Sequence, residues 1–124
     1  MICLDANYLI CSLALGSAEE QALAAWHLAG EPLVAPSIAW YEFLCGPVTE
    51  AQIRAISSFL SGGLIPFEEA QAAEAARLFN AVGRVRRLRV DAMIAATAIV
   101  ANARFATSNI TDFQPFAAHG LQLI

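Results

Sequence analysis

The stretch Ile2-Cys3-Leu4-Asp5-Ala6-Asn7-Tyr8-Leu9-Ile10 decides how the rest of the chain is read. Three consecutive apolar residues run into a carboxylate. A run that is apolar at every position, rather than at alternate ones, is the pattern of a strand covered on both faces, as in a parallel sheet. Runs of the same kind stand at Leu33–Ala35, Leu64–Phe67 and Arg104–Thr107, with Leu121–Ile124 as a fifth candidate. Helix signals lie between them. Ser17-Ala18-Glu19-Glu20 and Thr49-Glu50-Ala51-Gln52 are capping boxes, and the helices they open end at Gly30 and at Gly62-Gly63. Ser37–Cys45 reads as a short helix stopped by Gly46-Pro47. Glu68 to about Val82 is alanine-rich, with acids in its first turn and Gly83 at its end. Asp91 reads as the N-cap of a helix running to about Asn102. Gly83–Val90 is left as a mobile loop. The order predicts a three-layer α/β/α domain around a mostly parallel central sheet of four to five strands, with residues 1–124 forming one domain.

In such a fold, ligands bind outside the carboxyl ends of the strands. Asp5 ends the first strand, Asp112 follows the fourth, and Asp91 opens the helix that leads into the fourth, so all three acids face one edge. They are the only aspartates in the chain, and they flank its most apolar segments. Glu42 is the fourth candidate, because it is the one charge in Ile38-Ala39-Trp40-Tyr41-Glu42-Phe43-Leu44-Cys45. Taken singly, each acid has a structural reading: an Asx turn for Asp5, a helix cap for Asp91, a loop acid for Asp112 and an ion pair for Glu42. Taken together they pose an electrostatic problem. Two unit charges about 4 Å apart at an effective dielectric near 20 oppose each other by roughly 4 kcal/mol. Such a cluster must hold protons or bind a cation. Oxygen donors without a nearby Cys or His select Mg²⁺ or Mn²⁺ over Zn²⁺. An acidic site for such an ion points to phosphodiester hydrolysis by water.

Composition sets further bounds. Apolar residues make up 58% of the chain and charged residues 15%, against roughly 45–50% apolar in an ordinary soluble domain. Part of the excess is the count of 26 alanines; the rest predicts burial on a partner, either a second copy or another protein. No apolar run has the roughly 20 residues of a membrane span, and the N-terminus carries no basic leader, so neither a membrane span nor a signal peptide is expected. Cys3, Cys11 and Cys45 show no metal spacing and read as reduced thiols of a cytoplasmic protein. The net charge of −4 at first argues against a nucleic-acid partner. Once four carboxylates are assigned to a metal, however, seven acids face seven arginines. Arg84, Arg86, Arg87 and Arg89 then form a positive patch with four readings open: RNA phosphates, a dimer contact, a partner's carboxylate or a plain solvated loop.

The constellation resembles the PIN-domain ribonucleases, most closely the VapC-type toxins of toxin–antitoxin pairs, over the whole chain. Ile2–Ile10 is similar to that family's opening strand and first acidic motif, and Glu42 matches its second acid. Val90-Asp91-Ala92-Met93-Ile94-Ala95-Ala96-Thr97-Ala98 resembles the third motif, and Thr107-Ser108-Asn109-Ile110-Thr111-Asp112-Phe113 the last. The resemblance implies RNA cleavage dependent on one or two Mg²⁺ or Mn²⁺ ions held by Asp5, Glu42, Asp91 and Asp112. Asn7, Thr107, Ser108 and Asn109 would be supporting polar groups. It also implies a homodimer and a cognate antitoxin whose C-terminal segment inserts near the site. The family pattern departs here in basic residues: with no lysine, RNA contacts fall to the arginines.

His27 and His119 have no companion at ligand spacing, and Trp26, Trp40 and Tyr41 read as core or interface. Two other functions stay open at this level. One is a phosphohydrolase acting on small phosphoesters, although Asn7 stands two residues after Asp5 where a phosphoaspartyl enzyme would carry an acid. The other is a non-catalytic PIN-like binding module, which four clustered acids argue against.

Overall fold

The computed structural model describes residues Met1–Ile124. The apolar runs become strands, and each of the first four strands is followed within a few residues by a helix. In chain order the elements are β1 (Ile2–Leu4), α1 (Ala6–Cys11), α2 (Ala18–Leu28), β2 (Leu33–Pro36), α3 (Ser37–Leu44), α4 (Glu50–Phe59), β3 (Gly63–Ile65), α5 (Glu69–Ala81), a 3-10 turn at Arg86–Leu88, α6 (Arg89–Val100), β4 (Arg104–Ala106), α7 (Ile110–Ala117) and β5 (Gln122–Leu123). All strand pairs are parallel, in the order β3-β2-β1-β4-β5.

Side chains on successive strand residues point to opposite faces, and here both faces are covered. Ile2, Leu4, Leu33, Ala35 and Ala106 pack with Leu9, Leu23, Phe43 and Ile56 from α1 to α4. Cys3, Val34 and Phe105 pack with Ala75, Leu78, Ile94, Phe113 and Phe116 from α5 to α7. This is the three-layer α/β/α arrangement that the continuous apolar runs predict. The alanines of α6 explain part of the apolar composition: Ala92, Ala95, Ala96 and Ala98 are buried, which lets α6 lie close to the sheet and to α5.

The boundaries differ from expectation where local chemistry intervenes. β3 runs from Gly63 to Ile65, not from Leu64 to Phe67, because Pro66 has no N–H to give the ladder. At the first capping box, the Ser17 hydroxyl accepts from the Glu20 N–H, but the Glu20 carboxylate takes the N–H of Gly16 and leaves the box half made. The Thr49–Gln52 box is complete. Helices α1 and α7 carry no sequence signal long enough to show a 3.6-residue period. The segment Gly83–Val90 is not a plain loop. Arg86–Leu88 winds as a 3-10 turn on the buried Leu88 and runs straight into α6. Asp91 therefore lies in the first turn of α6 and is not its N-cap, a place taken by Leu88.

The strand order creates the site. From central β1 the chain moves outward through β2 to β3, then crosses over to β4 on the other side of β1. α1 leaves β1 toward one face, and α7 follows β4 on the other. The gap between them is a topological switch point of the kind where α/β sheets bind ligands. On the β2–β3 side the backbone approaches closely: the Gly62 N–H donates to the Leu33 carbonyl at 2.9 Å, and a Cβ built on Gly62 would lie 2.5 Å from Val34 Cγ1. Gly62→Ala is expected to cost about 1–3 kcal/mol through overpacking against the β-branched Val34, as a lower midpoint in urea unfolding with an unchanged slope.

Candidate active site

Asp5 is the buried centre of the site, at 3% exposure. Its backbone extends the β1–β4 ladder, donating its N–H to the Ala106 carbonyl at 3.0 Å. Its side chain caps α1, Oδ1 accepting from the Ala6 N–H at 2.8 Å. Oδ2 accepts from the Thr107 hydroxyl at 2.8 Å, and Thr107 Oγ1 in turn accepts the Asn109 N–H at 2.9 Å. Burial raises the pKa of Asp5, while the hydrogen bonds from Thr107, Ala6 and Asn7 work against that rise.

The other acids stand around it. Asp91, in the first turn of α6, is pushed up to about 6, first by loss of solvent and then by the charges of Asp5, Asp112 and Glu42, with Arg87 opposing. Glu42 on α3 is exposed, so solvation accounts for its charge more readily than its apolar sequence surroundings suggest. Its pKa is still raised, by partial loss of water and by Asp5. Asp112 is held below the usual carboxylate range. Asn109 Nδ2 donates to its Oδ2 at 3.1 Å, and Arg87 Nη1 donates to its Oδ1. Asp91 thus senses the charges of all three other acids, and Glu42 senses that of Asp5, near the carboxyl edge of β1 and β4.

The supporting residues divide. Thr107 and Asn109 orient carboxylates, as described above. Asn7 contributes its backbone N–H toward Asp5, and its side chain is exposed. Ser108 turns away from the acids and donates to Glu19 on α2 at 3.0 Å; neither Glu19 nor this link is signalled by local sequence. The arginines also divide. Arg84 bonds Asn80, and both Arg84 and Arg89 lie over the Phe79 ring, at 5.6 and 5.2 Å. Arg87 pairs with Asp112, and Arg86 is exposed with no ion pair. His27 packs edge-on against Phe59, and His119 lies in the turn after α7 with its carbonyl taken by Arg77. Trp26 stacks on Tyr8, and Trp40 lies tilted against Phe43.

The donor set is all oxygen. Asp91 and Glu42 have no hydrogen-bond partner on their carboxylates, which leaves their lone pairs free, and Asp5 and Asp112 keep unused ones, since a carboxylate offers about four such positions. Hard divalent cations suit such donors. No three of the acids are drawn in to ligand spacing, so the arrangement fits the ion in donor chemistry and charge, with the side chains still apart.

A family model described as PIN domain matches residues 2–117. The chain belongs to the PIN domain family. PIN domains are nucleases. Among solved structures, a toxin–antitoxin complex from Klebsiella pneumoniae is 25% identical, with a TM-score of 0.72 over 91% of this chain and 90% of that one. Two others share the fold at lower identity. DNA-bound VapBC from Salmonella typhimurium is 17% identical, with a TM-score of 0.76 over 99% and 96% of the two chains. VapBC2 from Rickettsia felis, bound to a promoter DNA fragment, is 21% identical, with a TM-score of 0.75 over 100% and 98%. No match was found among curated proteins.

The raised carboxyls set a pH dependence. Asp91 takes its proton near 6 in the folded chain and near its ordinary 3.8 when unfolded. Between those values the folded state binds more protons, so stability falls as pH rises. Asp5 and Glu42 act in the same direction, and Asp112 acts in the opposite one. In EDTA, the urea midpoint of this PIN domain is expected to fall between pH about 4 and about 6; Asp91→Asn flattens that slope, and added Mn²⁺ offsets it.

Proposed function

We propose that this PIN domain is a metal-dependent endoribonuclease that hydrolyses RNA phosphodiester bonds, and that it acts as the toxin of a toxin–antitoxin pair. The observation that carries this reading is the electrostatic convergence of Asp5, Asp91, Glu42 and Asp112 at the switch point of the sheet. In this reading Asp5, Asp91, Glu42 and Asp112 hold one or two Mg²⁺ or Mn²⁺ ions. Bound there, the ion supplies charge neutralisation for the phosphodiester and makes water more acidic. Thr107 fixes the rotamer of Asp5, and Asn109 that of Asp112, so two of the four carboxylates are already oriented. Placing oriented oxygen donors before the substrate arrives is what makes such electrostatic assistance effective. RNA approaches along the edge that carries Arg86 and Arg87, whereas Arg84 and Arg89 are committed to Phe79.

Two surfaces suit the proposed protein partners. Ile38, Tyr41, Cys45, Val90 and Met93 surround Glu42 in a cavity of about 570 Å³, and Tyr41, Leu44 and Val90 are exposed nearby. This face is assigned to the homodimer. A second groove of about 380 Å³, lined by Leu13, Leu15, Leu23, Ile56 and Phe59 between α2 and α4, is assigned to an amphipathic antitoxin segment. No helix is long and apolar enough to cross a membrane, and a cytoplasmic site of action is part of the proposal.

Asp5→Asn and Asp91→Asn are each expected to lower RNA cleavage by at least about a hundredfold, the scale of losing a preorganised electrostatic group. Both should remain folded by circular dichroism: Asn caps α1 about as well as Asp5 does, and Asp91 lies inside the first turn of α6 with no hydrogen bond on its carboxylate to lose. EDTA should abolish cleavage and Mn²⁺ restore it. Undiminished metal-dependent cleavage by both variants would overturn the assignment. Turnover of a generic phosphomonoester without RNA cleavage would favour a phosphohydrolase, and absence of Mg²⁺ and Mn²⁺ binding would favour a non-catalytic PIN-like module.

A further inference from the structure

We infer that Arg87 is a resident counter-ion of the acidic site, a positioning residue that occupies Asp112 until a divalent cation displaces it and so sets the metal concentration at which the site loads. This inference rests on the metal-site reading proposed above.

Arg87 belongs to the 3-10 turn at Arg86–Leu88, which is anchored by the buried Leu88. From there its Nη1 reaches across 25 positions of sequence to Asp112 Oδ1. Asn109 holds the other oxygen of the same carboxylate, so each Asp112 oxygen already accepts one hydrogen bond from the chain itself. Asp91 and Glu42 are in the opposite condition, with no hydrogen-bond partner on either carboxylate. The neighbouring arginines do not share the role of Arg87: Arg84 and Arg89 are held over Phe79, and Arg86 makes no ion pair. One guanidinium among the four therefore neutralises an acid of the site.

The exchange is readily reversible because the pair is open to water. The Arg87 side chain is 64% exposed and that of Asp112 is 30% exposed. An exposed ion pair is a weak contact, so a divalent cation, with twice the charge in a smaller radius, outcompetes it for Asp112. A buried Arg–Asp pair would cost several kcal/mol to open and would lock the ion out. The released guanidinium remains at the mouth of the site beside Arg86, while Asn109 keeps Asp112 oriented during the exchange.

The test is Mn²⁺ binding by calorimetry on the full chain, without RNA, for wild type, Arg87→Gln, Asp112→Asn, the double variant and Arg86→Gln. Arg87→Gln is expected to tighten Mn²⁺ binding about two- to fivefold, the range that an exposed ion pair can supply. The gain should vanish in the Asp112→Asn background, because the competing contact is then already gone. Arg86→Gln, which removes the same charge one residue away, should leave the affinity unchanged. Equal or weaker binding by Arg87→Gln overturns the inference. So does a gain that survives Asp112→Asn or is matched by Arg86→Gln, because bulk electrostatics would then suffice. If wild type binds no Mn²⁺, the metal-site reading falls and takes this inference with it; if wild type binds and Arg87→Gln does not tighten, only the inference falls.

Discussion

The contact on which the rest of the site depends is the hydrogen bond from Thr107 to Asp5. Asp5 is a carboxylate at the end of a strand buried on both faces, where an uncompensated charge is costly. Three kinds of donor reduce that cost: the hydroxyl of Thr107, the first N–H of α1 and the N–H of Asn7. They reduce it without cancelling it, because the carboxyl still holds its proton more tightly than a free aspartic acid does. What is left is a centre that attracts positive charge, and the other three acids add to it. The sheet supplies the frame, since β1 and β4 must be neighbours in parallel register before the Thr107 hydroxyl can meet Asp5.

The fold was largely legible because its strands are so plainly apolar. Ile2–Leu4 and Leu33–Ala35 can be read as covered strands with nothing more than hydropathy, and the complete Thr49–Gln52 box marks its helix at the correct residue. Failures came where information is non-local or too short to be periodic. α1 has six residues and α7 has eight, fewer than the window in which a helical period stands out. Asp91 looked like an N-cap because aspartate favours that position, but burial of Leu88 starts the winding earlier and moves Asp91 one turn inward.

The acidic set followed a similar division. That Asp5, Asp91 and Asp112 share one edge could be read from strand order alone. Which polar neighbours serve them could not. Thr107 and Ser108 are adjacent and chemically alike, yet Thr107 points to Asp5 and Ser108 to Glu19, because successive residues leaving a strand face opposite ways. The arginine segment likewise hid its divisions. Four similar side chains within six positions take different partners, and only the three-dimensional placement of Phe79 and Asp112 separates them.

The Thr107–Asp5 contact joins positions 102 residues apart, and Asp112 lies further on still. β4 is also one of the two strands that flank β1 directly, so the middle of the sheet is completed late in chain order. On a ribosome, the first hundred residues can emerge and begin to pack while Asp5 still lacks both its hydroxyl donor Thr107 and the last acid, Asp112. Contacts of this separation are slow to form and come after local ones. A nascent or prematurely terminated chain therefore lacks an assembled site, and competence arrives only once translation has passed α7. Were the site to cut RNA as proposed above, this order of assembly would keep the message and the machinery that make it outside its reach until α7 has been made.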